Sequence, residues 1–406
     1  MGRRITWLLA FALTLASCTG ESAEETTTTS AAPTTTTSTA PAITDPGRLV
    51  ILDGAGDVVV LDPNGSNRTQ VTDDAGASAL YTQPIWAPDG QNVAFGQVTA
   101  DGFSVGLHDV AGAETTTITT RNLPFYMSFS PGGDRLGVLH NGSTGIDFNL
   151  VDVEAGTIER VDAGAPFYFS WSPENDFLVT HVGVDRVETI DGDGEKTTLE
   201  PTGPQYLAPQ WTSQGVFHVV DDTLVVETQD GTRGAVAGVS GLTMFVTNPN
   251  GTLVAMQSTG DGGAIEVALS DPPTIPANRV VVVDATSGDV AEVTEELALG
   301  FFWSPDGEKL LTLVPSERSV IPRVWVSDGT VSDYPSYIPP TAMLQDTFPF
   351  FPQYAQSLSF WAPDSSAFAY AGDVQERPGI WIQTLGEEGP QMVAGGRWVA
   401  WSGPAS

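Results

Sequence analysis

From residue 48 onward the chain alternates short apolar runs with clusters of turn-forming residues, and long apolar helical stretches are few. Runs such as 92–97, 104–109 and 116–120 are rich in β-branched and aromatic residues and are bounded by Gly, Asp, Asn and Pro. That punctuation predicts short strands joined by tight hairpins. Superimposed on it is a longer period. Trp86-Ala-Pro-Asp-Gly90 is followed by Phe129-Ser-Pro-Gly-Gly133, Trp171-Ser-Pro-Glu-Asn175 and Trp211-Thr-Ser-Gln-Gly215. Thr247-Asn-Pro-Asn-Gly251, Trp303-Ser-Pro-Asp-Gly307 and Trp361-Ala-Pro-Asp-Ser365 continue it, and Trp401-Ser-Gly is a truncated last copy. The intervals are 43, 42, 40, 36, 56, 58 and 40 residues, most of them near the length of a four-stranded propeller blade.

Each copy has a mechanical reading. The proline sets φ, and the glycine reaches the positive φ that a tight turn between first and second strands often needs. The leading Trp or Phe is a large apolar plug suited to the space between neighbouring blades. Trp325 and Trp381 fall at matching third-strand positions, so the aromatics need no cofactor to explain them. The pattern resembles the TolB-like (WD-type) β-propeller repeat over essentially residues 48–406, and the resemblance implies a fold more than a chemistry. Residues 48–53, 57–62 and 68–72 supply second, third and fourth strands with no first strand before them, whereas 397–402 supplies a first strand with nothing after it. Joined, they complete one blade and leave no open edge. The expected fold is therefore all-β, an eight-bladed propeller closed by a composite N-/C-terminal blade. The Thr247 copy is the weakest, and seven blades is the alternative.

The first 46 residues have a different character. Arg3 and Arg4 precede an apolar run from Ile5 to Leu15 that is short for a membrane span and has the layout of a secretory signal. The run ends in Leu15-Ala16-Ser17-Cys18, which resembles the bacterial lipobox. That resemblance implies cleavage before Cys18 and lipidation of its sulfur, and two or more acyl chains give stable anchoring. Residues 1–17 are then a lipoprotein signal peptide. Residues 18–46, rich in Thr and Pro, read as a disordered linker that cannot bury enough surface to fold, and 47–406 as the propeller. The expected localisation is extracytoplasmic, anchored to the cell membrane or envelope through Cys18.

Composition then narrows the chemistry. There are 50 Asp and Glu against 16 Lys and Arg, a formal charge of −34, which argues against nucleic-acid binding through a basic patch. A single cysteine excludes internal disulfides and Cys-based zinc sites. No G-x-S-x-G elbow, H-E-x-x-H or P-loop is present. Peptidase relatives of the repeat family place a hydrolase domain beside the propeller, and no residues remain here to build one. His140 and His181 fall at equivalent strand ends of adjacent blades, and His218 lies mid-strand. All three read as structural, because no carboxylate spacing completes a metal site. Asp191-Gly-Asp-Gly-Glu195 superficially resembles part of a calcium loop, but turn chemistry explains it. No cofactor is expected beyond weak calcium binding that the sequence does not place.

The functional clue is where the period breaks. Residues 259–278 are inserted between a second and a third strand, with 265–269 able to form an extra strand. Residues 339–356 are inserted between two blades. Both loop types emerge on one face, so the insertions are expected to share a rim. The second carries Phe348, Phe350, Phe351 and Tyr354 among four prolines, with Tyr337 just upstream. Held by prolines, these five aromatics would lose little entropy on binding, which suits a partner-recognition surface. They suit equally a segment that folds back and plugs the channel. On the first reading, deleting 339–356 should leave the fold intact and abolish partner capture. The expected function is a non-catalytic scaffold for an envelope protein, peptide or glycan. The alternatives are a channel-centred, metal-assisted hydrolase or lyase acting on a sugar or lactone, and a structural subunit of an envelope assembly.

Overall fold

The repeated pentapeptides fold as one recurrent hairpin. In the Trp303 copy, Ser304 N–H donates to Lys309 O and Gly307 N–H donates to Ser304 O, both at 2.9 Å. The Ser304 hydroxyl accepts from Lys309 N–H at 3.0 Å, and Gly307 sits at φ +72°. The same turn is closed at Gly90, Gly133, Asn175, Gly251 and Ser365. In the Thr247 copy the Asn248 side chain replaces serine, its Oδ1 accepting from Leu253 N–H at 3.0 Å. A side-chain acceptor at the second position suffices, so this copy needs no tryptophan to form its turn. The Trp211 copy departs instead: Thr212 pairs directly with Gly215, giving a two-residue turn without proline.

The computed structural model describes residues 47–175, 177–184, 186–199, 206–260 and 272–403. The signal segment, Cys18, the linker and the extra strand expected at 265–269 lie outside the described residues. Among the described residues the strands form eight sheets, one per blade, and seven of these have four strands. Blades 1 to 7 follow the chain. The eighth is the clasp: Gly396–Trp401 pairs with Leu49–Asp53, which pairs with Val58–Leu61 and then Thr69–Gln70. The composite blade and the count of eight are as the sequence implied. Strands such as Val280–Asp284 and Val58–Leu61 are almost wholly buried because neighbouring blades cover both their faces.

The anchor tryptophans stitch blades together. Trp171, Trp303 and Trp361 each donate the indole N–H to a first-strand carbonyl of the preceding blade: Ser128 at 3.2 Å, Val246 at 2.8 Å and Phe302 at 3.0 Å. Burying such a ring while pairing its one polar atom avoids an unsatisfied donor. Blade 7 is the exception in strand number. Its first strand is reduced to a bridge between Trp361 and Phe368, because the chain just before it is taken up by the second insertion.

Candidate ligand-binding face

Residues 339–356 leave blade 6 and cross the centre of one face before entering blade 7. A π-helical turn Met343–Thr347 is followed by a 3-10 turn Phe348–Phe350 and one α turn Phe351–Tyr354, and prolines 349 and 352 sit in the first positions of the latter two. Phe351 is driven against Phe301 of blade 6, centroids 4.6 Å apart in an edge-to-face arrangement. Gln353 then binds blade 3 reciprocally. Its Oε1 accepts from Phe169 N–H at 2.9 Å and its Nε2 donates to Phe169 O at 2.8 Å. The Gln353 carbonyl accepts from the Tyr126 hydroxyl of blade 2 at 3.0 Å, and Pro352 O accepts from Gln210 of blade 4 at 3.0 Å. First-strand backbone facing the axis would otherwise lack partners, and the insertion supplies them. The segment is a plug.

The five aromatics singled out in the sequence are therefore divided. Tyr337, Phe348, Phe351 and Tyr354 are buried within the chain, whereas Phe350 is 44% exposed. Tyr337 packs on Tyr370 with centroids 4.2 Å apart, and burial raises its hydroxyl pKa well above the ordinary tyrosine value. Tyr354 donates to Phe125 O at 2.5 Å and accepts from Gln83 Nε2 at 3.2 Å. With this much of the insertion in the core, deleting 339–356 would unfold the protein rather than spare it. Loss of the fold, not its survival, is the expected result of that deletion. Residues 261–271 of the first insertion lie outside the described residues. Its remainder runs along blade 4, where Ile275 N–H donates to Gly238 O at 3.1 Å.

Between the plug and blades 1 to 3 lies a cavity of about 400 Å³. Phe125, Ile146, Pro166, Tyr168 and Phe350 give it apolar and aromatic walls, and Asp346 lies exposed at its edge. Burial pushes the Tyr168 pKa up to about 12, so its hydroxyl is a proton donor at neutral pH. That hydroxyl makes no hydrogen bond among the described residues. Gln83 holds φ +46° at a bulge in the first strand of blade 1, an uncommon conformation for a residue with a Cβ. The strain costs on the order of 1 kcal/mol and aims the Gln83 amide at Tyr354. Sequence reading missed Phe125, Tyr168 and Gln83. Phe125 and Tyr168 lie in the first strands of adjacent blades, four residues before Phe129 and three before Trp171, so their offsets from the anchors differ and the repeat gave no signal for them.

The histidines have local explanations. His140 Nδ1 lies 3.0 Å from Asn141 O and its Nε2 lies 3.0 Å from Asn149 Nδ2. His181 stacks on Tyr206 at 4.4 Å, and His218 bonds Glu227 at 3.0 Å. Among the described residues no three His, Cys, Asp or Glu side chains are grouped so as to hold a metal ion. Asp191 Oδ1 accepts from the backbone N–H of Asp193 and Glu195, the turn chemistry expected there.

No family model matches the chain, and no curated protein matches it. Solved structures do. An oligogalacturonate lyase in complex with manganese aligns at a TM-score of 0.52 and 16% identity, over 84% of this chain and 99% of that one. A eukaryotic initiation factor aligns at 0.51 and 12%, over 88% and 99%. TolB from Acinetobacter baumannii aligns at 0.41 and 16%, and the match spans 70% of this chain and 62% of that one. Identities this low establish the propeller fold alone.

Proposed function

We propose that this is a lipid-anchored cell-envelope protein whose eight-bladed propeller is a non-catalytic scaffold that grips a protein, peptide or glycan partner on the plugged face. The observation that carries the reading is the cavity beside the plug. It combines apolar walls, a free tyrosine donor at Tyr168, an exposed aromatic at Phe350 and a carboxylate at its edge. Such a cavity suits an apolar side chain with a cationic neighbour beside Asp346, and the acidity of the whole chain would speed the approach of a basic partner. The Leu15-Ala16-Ser17-Cys18 sequence supports display outside the cell on a lipid.

The test is capture from solubilised envelopes by the full-length protein and by Phe350→Asp. This substitution changes an exposed side chain and leaves the plug's hydrogen bonds in place. A partner retained by the wild type and lost by Phe350→Asp supports the reading. Equal capture by both places the partner elsewhere. The competing lyase or hydrolase reading predicts stoichiometric metal in the purified protein together with turnover of a sugar or lactone, and both are directly measurable.

A further inference from the structure

Blades 3 and 4 part on the hairpin-turn face to leave a second groove, of about 480 Å³ and chemically unlike the first. Its aromatic side is Trp211 with Phe177, both half-buried, their centroids 6.0 Å apart and their planes inclined by 36°. Trp211 differs from three of its repeat counterparts. Trp171, Trp303 and Trp361 commit the indole N–H to the preceding blade, whereas Trp211 makes no such bond among the described residues, and its ring lines the groove. Among the described residues Trp86 also leaves its indole N–H unpaired, but that ring is buried at 8% exposure.

Beyond the apolar contributions of Leu199 and Val216, the remaining wall is polar. Thr189 and Thr197 contribute hydroxyls, Gln229 an exposed amide, and Glu227 a carboxylate only 7% exposed. Glu227 is held by His218 Nε2 at 3.0 Å and Arg233 Nε at 2.8 Å, both on Oε2, which leaves Oε1 to the groove. The His218 bond and then Arg233 keep this carboxyl below the usual carboxylate range despite its burial, so it is an acceptor at neutral pH. A fixed acceptor, hydroxyls, an amide and a broad aromatic face meet in one concavity.

We propose that this groove binds a neutral saccharide. A sugar ring presents a C–H face that packs on an aromatic plane and an equatorial rim of hydroxyls that both donate and accept. Glu227 Oε1, Gln229 and the threonines match that rim. A purely apolar ligand would leave Glu227 Oε1 without water or partner. An acidic sugar would meet Glu227 and Asp230, with Arg233 already engaged by Glu227. The site is independent of the plugged-face cavity and shares no residue with it.

The full-length protein is titrated with cellotriose and with chitotriose, with trigalacturonate as the acidic comparator, by tryptophan fluorescence and saturation-transfer NMR. At least one neutral trisaccharide should bind saturably through its ring C–H face, at least tenfold tighter than trigalacturonate. Trp211→Ala and Gln229→Ala should each weaken binding at least tenfold, whereas Phe350→Asp should leave it unchanged. Should Trp211→Ala fail to fold, Gln229→Ala, whose side chain is exposed, carries the test alone. The proposal is overturned if neither neutral trisaccharide binds, if trigalacturonate binds as well as they do, or if Gln229→Ala binds like wild type.

Discussion

The hairpin turns at one end of the blades and the plug at the other are both proline-and-aromatic sequences, yet they hold the molecule in different ways. A turn such as Trp303-Ser-Pro-Asp-Gly307 is repeated, and its tryptophan reaches one neighbour, the Val246 carbonyl of the preceding blade. The plug occurs once and reaches many blades, with Gln353 on Phe169, Pro352 on Gln210, Tyr354 on Phe125 and Phe351 on Phe301. Repeated sequence builds a ring by identical pairwise steps, and a ring made that way leaves an axis that no repeat can fill. Closing it takes a segment without symmetry. The same break in symmetry creates the cavity beside the plug, which has blades 1 to 3 on its wall and no counterpart defined by the repeat.

Damage to the plug should therefore cost more than damage to any one turn. Deleting residues 339–356 should abolish the cooperative unfolding transition, or lower stability by about 5 kcal/mol or more, since three buried aromatic side chains leave together. Calorimetry would show it. Gln353→Leu strands the N–H of Phe169 and leaves its C=O only the longer bond from Gln356 at 3.3 Å, and the expected loss is about 2–3 kcal/mol in urea unfolding. Trp361→Phe removes one indole bond and part of a buried ring at the blade 6–7 boundary, for about 1–2 kcal/mol. A larger loss for Trp361→Phe than for Gln353→Leu would reverse the ranking and break the comparison.

Two smaller effects sharpen it. Glu227 has its folded pKa lowered by His218 and Arg233. A lowered folded pKa gives stability that is present above the unfolded pKa and lost as pH falls through the folded one. The difference in stability between wild type and Glu227→Gln should therefore be full at neutral pH. It should shrink on acidification below the ordinary carboxylate range, followed by urea midpoints across pH. Phe350→Asp, on an exposed rim of the plug, should leave the melting temperature unchanged within error, because no bond of the plug depends on that ring.

How much of this could be read from the chain differs between the two regions. The turns were legible because eight copies average out the noise of any one, and the clasp followed from counting strands at the two ends. Even so, the rank of the copies was misjudged. Thr247-Asn-Pro-Asn-Gly251 lacks the aromatic but keeps an acceptor in Asn248, whereas Trp211-Thr-Ser-Gln-Gly215 keeps the aromatic and loses the turn. The plug was legible as an insertion but not in its direction. Phe348, Phe351 and Tyr354 are as apolar turned inward as outward, and what turns them inward is the reach of Gln353 and Gln356 to the Phe169 carbonyl. Glutamines carry no periodic signal. Tyr168 and Gln83 were missed for a related reason, since their place beside the cavity depends on a loop nearly 200 residues or more away in the chain.

The most direct measurement of the central claim is site-specific photocrosslinking in native membranes. A benzophenone side chain replaces Phe350, at the mouth of the plugged-face cavity, or Met392, which is 39% exposed on blade 7 and lines neither groove. A discrete adduct is expected from position 350, absent at 392 and competed away by unlabelled full-length protein. No adduct at 350, or the same adduct from both positions, would contradict the claim.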